Sequence, residues 1–191
     1  MNRVLVLGNG FDLDLGLKTR YIDFWRSDAF KGNLANIYTG LIPYLNTNAR
    51  DNASWFDIEA LIGKYVTKPQ TGLSRYHSAG EVENDKGQFE LIRNSLATYL
   101  ENEVKNRTLN SESCAAMVLR GILATDYNSI YSFNYTDLKK IAEKLGYDSS
   151  FAYTDVHGRS ADKSLILGID DGKDVYDNYD FAYKTYSPYY H

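Results

Sequence analysis

The chain has 191 residues, a net charge of -4, 43% hydrophobic residues and a single cysteine, Cys114. We expect one α/β domain over residues 1–191, because this length can bury a substantial core. The mildly acidic charge balance disfavours nucleic acid as the main partner. A lone cysteine excludes an internal disulfide and a four-cysteine zinc site, and no apolar run approaches a membrane span. We therefore expect a cytoplasmic protein that does not enter the membrane.

The first predicted element is a strand over residues 3–7, buried on both faces, because Val4 to Leu7 form a continuous apolar run. It leads into Gly8-Asn9-Gly10-Phe11-Asp12, which we expect to form a tight turn. Glycine allows a sharp turn and a close approach of the backbone to a phosphate. The turn resembles the start of a dinucleotide-binding motif, although Leu13 replaces its third glycine. The alternative is a strand-to-helix turn without a ligand, in which Asp12 caps the helix.

A large helical insertion, about residues 26–124, is predicted next. Thr19 should cap a short helix just before it, and Pro43 should interrupt a helix that begins near residue 34. Ser54 and Asp57 have a spacing like that of a capping box at the start of another helix. Glycine, proline and hydroxyl residues predict a loop over 67–80. Two more helices are predicted, about 85–106 and 112–124. The apolar face of the first carries Phe89, Ile92, Leu96, Leu100 and Val104. The apolar face of the second carries Met117, Val118, Ile122 and Leu123.

The remaining elements alternate between strand and helix. Strands are predicted at 129–133, 151–156 and 164–168, and a helix at 136–145 should begin at Thr136 and end before Gly146. Together with the first strand they predict a three-layer, Rossmann-like, mostly parallel sheet that carries the helical insertion. The tyrosine-rich segment from Tyr176 onward predicts either an interaction surface or a tail that docks on the body.

Polar residues follow three of these strands, namely the Gly8 turn, Asn134 and His157. Ligands of open α/β sheets bind outside the carboxyl ends of the strands, so these residues are candidates for one pocket. An asparagine amide both donates and accepts, and it can therefore orient a ribose, a carboxamide or a water. A histidine can act as a general base near neutral pH. Taken alone, Asn134 is also explained as a turn residue that bonds its own backbone, and His157 as a structural histidine.

The combination resembles the bacterial abortive-infection AbiH family. The resemblance spans about residues 5–170 and rests on motifs that occur in the order of that family. They are Leu5-Val6-Leu7-Gly8-Asn9-Gly10-Phe11-Asp12-Leu13, Gly16-Leu17-Lys18-Thr19, Trp55 with Asp57 and Glu59, Ser132-Phe133-Asn134-Tyr135-Thr136, His157-Gly158 and Leu167-Gly168. The resemblance implies a role in defence against phage.

The AbiH family is in turn distantly similar to sirtuin-like NAD-binding proteins. That similarity implies NAD or a related nucleotide as ligand or substrate, with Asn134 and His157 acting on the nicotinamide–ribose bond. The implied binding residues are Gly8, Asn9, Gly10, Phe11, Asp12, Thr136 and Gly158. Asn9 stands where the sirtuin-like turn has a small residue, and Thr136 where it has an acidic one. Because the cysteine pairs of sirtuin deacylases are absent, NAD hydrolysis is the expected reaction rather than deacylation.

Three functions therefore remain open. The first is an NAD-hydrolysing defence protein whose activity is controlled by the helical insertion or by a protein trigger or partner. The second is a module that binds a nucleotide without chemistry. The third is a hydrolase in which Asp12, Asp57 and Glu59 surround a divalent metal. The sequence leaves the oligomeric state open.

Overall fold

The computed structural model describes residues 3–51, 57–69, 77–124 and 129–187. Their elements are, in chain order, β1 (Val4–Leu7), α1 (Asn9–Asp14), α2 (Tyr21–Arg26), α3 (Asp28–Asn33), α4 (Leu41–Asp51), α5 (Ile58–Val66), α6 (Ala79–Asn106), α7 (Cys114–Ala124), β2 (Ser129–Ser132), α8 (Leu138–Lys144) and β3 (Thr154–Asp155). Two short 3-10 helices follow, Asp180–Ala182 and Lys184–Tyr186. The chain divides into two compact units. The first unit is Met1–Arg20 with Leu96–Leu165, and the second is Tyr21–Ser95 with Ile166–His191.

The first unit contains a parallel sheet of three strands in the order β1-β2-β3. Leu7 pairs with Ser132, and Ser132 pairs with Asp155, so the three carboxyl ends lie side by side. This three-stranded parallel sheet confirms the predicted mixed α/β class. A three-layer, Rossmann-like arrangement stays a prediction.

Two of the predicted strands differ from the observed ones. The strand expected over 151–156 is limited to Thr154–Asp155. The strand expected over 164–168 is wrong, because these residues take no strand conformation. Leu165, Ile166 and Leu167 are nevertheless buried. A short apolar run indicates burial, but its pattern alone does not tell whether a neighbouring strand is present.

The expectation that β1 is buried on both faces is also wrong. Val4 is 57% exposed and Val6 is 60% exposed, whereas Leu7 is buried. Successive side chains of a strand point to opposite faces, and here the face of Leu5 and Leu7 packs on the core of the first unit. That core also contains side chains from α1 and its C-cap Leu15, from the end of α6, and from α7 and α8, including Phe11, Val104, Leu119 and Ile141.

The long helix α6 begins at Ala79, earlier than the predicted residue 85. The reason is a capping box just before it, in which the backbone N of Ser78 donates to Glu81 Oε2 (2.9 Å) and the backbone N of Glu81 donates to Ser78 Oγ (3.3 Å). The apolar face predicted for this helix is confirmed, since all five of its side chains are buried: Phe89, Ile92, Leu96, Leu100 and Val104.

Several predicted helix starts are corrected. Pro43 does not interrupt a helix but lies in the first turn of α4, where a missing N–H is tolerated. Asp57 is itself the N-cap of α5 and accepts a hydrogen bond from the backbone N of Ala60 (3.1 Å). Asp137, rather than Thr136, caps α8. Ser54, Trp55 and residues 70–76 of the predicted loop lie outside the described residues.

The face predicted for α7 is partly wrong. Ile122 is buried as predicted, but Met117 and Val118 are exposed, whereas Ala116 and Leu119 are buried. The side chain of Leu123 is not among those described. Two buried alanines, Ala115 and Ala116, occupy positions that a search for large apolar residues passes over. The hydrophobic spacing therefore predicted that a helix is present here but not which of its faces is buried.

In the second unit, the tyrosine-rich segment supplies part of the core. Tyr179 is fully buried, and its hydroxyl donates to Asp85 Oδ2. The hydroxyl oxygen of Tyr179 also lies 2.9 Å from His77 Nδ1. For Tyr179 the docking alternative is therefore confirmed. Across the described parts of the chain, none of the helices is both long enough and apolar enough to cross a membrane.

Candidate functional site

The carboxyl ends of the three strands bring together the segments that the sequence singled out. The backbone N of Phe133 donates to the carbonyl of Leu7 (2.8 Å), and the backbone N of Val156 donates to the carbonyl of Ser132 (2.8 Å). Gly8, Asn134 and His157 therefore all follow neighbouring strands along one edge of the sheet. The predicted juxtaposition at this edge is confirmed, whereas the chemical roles of these residues stay predictions.

The segment from Gly8 to Asp12 is not a free turn but the start of a helix. Gly8 is the N-cap of α1 with an extended backbone, and Asn9, Gly10, Phe11 and Asp12 are helical. A Cβ added at Gly8 or Gly10 would meet no atom within 4 Å. Neither glycine is thus required by a left-handed backbone or by a close contact inside the protein.

A buried hydrogen-bonded cluster links α1 to the segment after β2. Asn134 Nδ2 donates to Asp12 Oδ1 (3.0 Å), and Thr136 Oγ1 donates to Asp12 Oδ2 (2.8 Å). Asp12 is only 1% exposed, Thr136 is 2% exposed and Asn134 is 5% exposed. Asp12 therefore does not cap a helix, and it bonds the two polar residues of the Phe133–Thr136 motif.

Burial dominates the electrostatics of Asp12. It raises the pKa of this carboxyl from 3.8 to about 7, although the hydrogen bonds from Thr136 and Asn134 and the nearby hydroxyl of Thr19 act in the opposite direction. The group thus changes its charge near neutral pH. Thr19, which we expected to cap a helix, instead donates its hydroxyl to Asn9 Oδ1 (2.7 Å) and lies within reach of Asp12.

The amide of Asn134 is satisfied at only one end. Its Oδ1 is buried and has no hydrogen-bond partner among the described residues. The backbone N of the same residue donates to Ser132 Oγ (3.3 Å), which ties this segment to the end of β2. Ser132 is 1% exposed, and although it begins the motif Ser132-Phe133-Asn134-Tyr135-Thr136, this contact was not predicted from the sequence.

His157 lies after β3, beside aromatic residues of the segment after β2. Its ring centroid is 5.6 Å from that of Phe133 and 5.8 Å from that of Tyr135. The next residue, Gly158, has a positive φ of 72°, and a Cβ there would lie 1.9 Å from the carbonyl oxygen of Ser164. Glycine is required at this position by the fold, so Gly158 needs no ligand to explain it.

A groove of about 520 Å³ lies beside the start of α1. It is lined by residues 5–7 of β1, by residues 8–11, and by Asp14, Cys114, Ala115 and Val118. Asp12, Asn134, Thr136 and His157 do not line it. The groove is therefore connected to the buried cluster only through residues 8–11, which line the groove and directly precede Asp12.

The acidic residues of the third alternative, Asp57 and Glu59, lie in the second unit, where each takes part in local structure. Asp57 caps α5, and Glu59 accepts a hydrogen bond from the backbone N of Gly168 (3.4 Å) and pairs with Lys184 (3.4 Å). Within the described ranges, no group of three or more histidine, cysteine, aspartate and glutamate side chains is placed to hold a metal ion.

A further carboxylate at the sheet edge was missed. Asp155 ends β3, and its Oδ2 lies 3.2 Å from Arg159 Nε. Burial raises the pKa of Asp155 to about 6 against the opposing effect of Arg159. Asp155 could have been found from the sequence by the rule that identified Asn134, because it is a polar residue at the end of a predicted strand, directly before Val156-His157.

Comparison with known proteins gives one match. The family model described as bacteriophage abortive infection AbiH matches residues 4–190. No curated protein matches the chain, and no solved structure does.

Proposed function

The chain belongs to the bacteriophage abortive infection AbiH family, and we propose that it defends the host cell against phage through a nucleotide-binding site at the carboxyl edge of its parallel sheet. The matched region covers nearly the whole chain, so the family assignment concerns both compact units. The nucleotide that the proposal favours is NAD.

The observation that carries the proposal is the convergence of Gly8–Asp12, Asn134 and His157 at one sheet edge. Crevices at the carboxyl ends of parallel strands are the usual ligand sites of α/β proteins. The adjoining groove of about 520 Å³ falls within the ordinary range for small-molecule pockets, roughly 300–1,000 Å³. Gly8 and Gly10 leave the backbone beside this groove uncovered by side chains, which suits the close approach of a pyrophosphate.

The proposed reaction is hydrolysis of the nicotinamide–ribose bond. Water attacks the anomeric carbon, a new carbon–oxygen bond forms, and the bond to the nicotinamide nitrogen breaks. The attacking water gives its proton to His157, nicotinamide leaves as a neutral molecule, and ADP-ribose is the second product. Asn134 holds the ribose or the water. Loss of NAD would stop phage replication, and because constant loss would kill the host, a protein trigger must release the activity.

The first experiment tests the glycine segment by calorimetry. Gly10→Val should abolish NAD binding, because the added side chain would cover the backbone beside the groove. Gly121→Val is the matched control, since Gly121 also lies in a helix of the first unit with no atom within 4 Å of an added Cβ. Equal NAD affinity in wild type and Gly10→Val would contradict the assignment of the glycine segment.

The second experiment separates catalysis from binding. Nicotinamide release should be measured with the purified protein alone and with lysate from phage-infected cells. Nicotinamide formed in either condition, and lost in His157→Ala, supports hydrolysis. NAD binding without nicotinamide under both conditions favours the non-catalytic binding module.

A further inference from the structure

We propose that Asp12 is a positioning residue that holds the NH₂ end of the Asn134 amide and so leaves its oxygen as the acceptor for a ligand that reaches the buried cluster. The site then selects ligands that carry a hydrogen-bond donor, such as a ribose hydroxyl, at that point. The identity of the ligand as a nucleotide rests on the proposed function. The orientation of Asn134 rests on the geometry of the first unit alone.

The first step is the contact between the two side chains. Asp12 Oδ1 lies 3.0 Å from Asn134 Nδ2, and the other carboxylate oxygen accepts the Thr136 hydroxyl at 2.8 Å. Above its pKa of about 7 the Asp12 carboxylate is ionised and only accepts hydrogen bonds, so it holds the NH₂ end of the amide and rejects the oxygen end. A reversed amide would place two acceptor oxygens against each other in a buried site.

The second step is the state of the other end of the amide. Because Nδ2 is held by Asp12, Asn134 Oδ1 must face away from the carboxylate, and it is buried without a partner among the described residues. A buried acceptor without a donor destabilises the protein until a donor reaches it. The unsatisfied oxygen therefore points to a ligand with a hydroxyl or N–H group.

The third step is a comparison with an amide that has a structural role. Gln88, in the second unit, is 4% exposed, close to the 5% of Asn134. Its Nε2 donates to the carbonyl of Thr39 (2.7 Å), and its Oε1 accepts from the backbone N of Ile42 (2.8 Å). The fold thus satisfies both ends of that amide, and it leaves one end open at Asn134.

The first test needs no ligand. In the isotope-labelled whole protein, NMR should detect a coupling across the hydrogen bond between Asn134 Nδ2 and the Asp12 carboxylate carbon at pH 8. Absence of this coupling in the folded protein would overturn the proposal. This measurement uses wild type, so it does not depend on whether a variant folds.

The second test measures selectivity by calorimetry with NAD and with analogues in which fluorine replaces either the 2′- or the 3′-hydroxyl of the nicotinamide ribose. Fluorine keeps the size of the group but cannot donate. At least one analogue should bind wild type roughly 10-fold to 100-fold more weakly than NAD, because a site built to bond a hydroxyl rejects a ligand that lacks it. In Asp12→Asn this preference should fall to about threefold or less, since the amide orientation is no longer imposed by a carboxylate.

Asp137→Asn is the matched control. Asp137 is also a buried carboxylate of the first unit, and its side chain bonds the backbone N of Lys139 (2.9 Å) rather than Asn134. This variant should keep the preference for NAD. Equal binding of NAD and both analogues by wild type would overturn the proposal, as would an unchanged preference in Asp12→Asn. If the coupling is present but NAD does not bind, the proposed function fails while the positioning of Asn134 is supported.

Discussion

Replacing Asp12 by asparagine should change how the stability of the protein depends on pH. Burial raises the pKa of Asp12 from 3.8 to about 7. Between these two pH values the folded protein holds a proton that the unfolded chain releases. Protonated Asp12 therefore contributes stability that is fully present below about pH 4 and is lost as the pH rises through 7.

The size of the effect follows from the two pKa values. A rise from 3.8 to about 7 corresponds to about 4 kcal/mol of folding free energy, at roughly 1.4 kcal/mol per pKa unit. Asparagine keeps the size of the side chain and carries no charge at any of these pH values. The free energy of unfolding of Asp12→Asn, relative to wild type, should therefore increase by about 4 kcal/mol between pH 4 and pH 8.

The assay is urea denaturation followed by far-ultraviolet circular dichroism at several pH values between 4 and 8. Glu112→Gln, which removes an exposed carboxylate of the first unit, controls for the loss of one negative charge. Carbon NMR of the Asp12 carboxyl in wild type should give a titration midpoint near 7. A difference between Asp12→Asn and wild type that stays constant from pH 4 to pH 8 would refute the reasoning, and so would a midpoint near 4.

Further predictions concern Gly158, His157 and Asp57. Gly158→Ala should lower the free energy of unfolding by roughly 3 kcal/mol or more, because an added Cβ would lie 1.9 Å from the carbonyl oxygen of Ser164. Gly146→Ala, which has a positive φ of 76° but open space around the Cβ, should cost only about 1 kcal/mol in the same chemical denaturation. If the protein hydrolyses NAD, His157→Ala should lower the turnover measured by nicotinamide release by about 10²–10⁴-fold and leave the circular dichroism spectrum unchanged. Asp57→Ala should lower the melting temperature through the loss of a cap worth about 1 kcal/mol, and Asp57→Asn should restore it.

The sequence predicted the position of the candidate site better than its internal contacts. Gly8, Asn134 and His157 each follow a strand, and carboxyl ends of parallel strands share an edge, so a topological rule was sufficient. The partners of Asp12 could not be predicted in this way. These partners, Asn134 and Thr136, lie 122 and 124 positions away in the chain. From the sequence, the carboxylate of Asp12 was equally suited to bond a ribose, to bind a metal or to cap a helix.

The errors in the predicted fold have physical causes. The run 164–168 and the strand β1 are both short and apolar. Such a run indicates that its side chains are buried, but it does not tell whether the segment is a strand or on how many faces it is covered. Met117 and Val118 were placed in the core because large side chains were favoured over Ala115 and Ala116. The start of α6 was accessible from the sequence, because Ser78-Ala79-Gly80-Glu81 has the spacing of a capping box.

Three features that oppose stability lie together at the sheet edge. Gly10 occupies a helical position where alanine would be more stable by about 1 kcal/mol. Asn134 Oδ1 is buried without a partner among the described residues, and Asp12 is a carboxyl held in a site that disfavours its charge. Gly158 offers a contrast, because its glycine is explained by the close carbonyl oxygen of Ser164. Residues that lower stability without a reason in the fold mark sites kept for function. This is the pattern expected if Gly10, Asp12 and Asn134 serve the binding role proposed above.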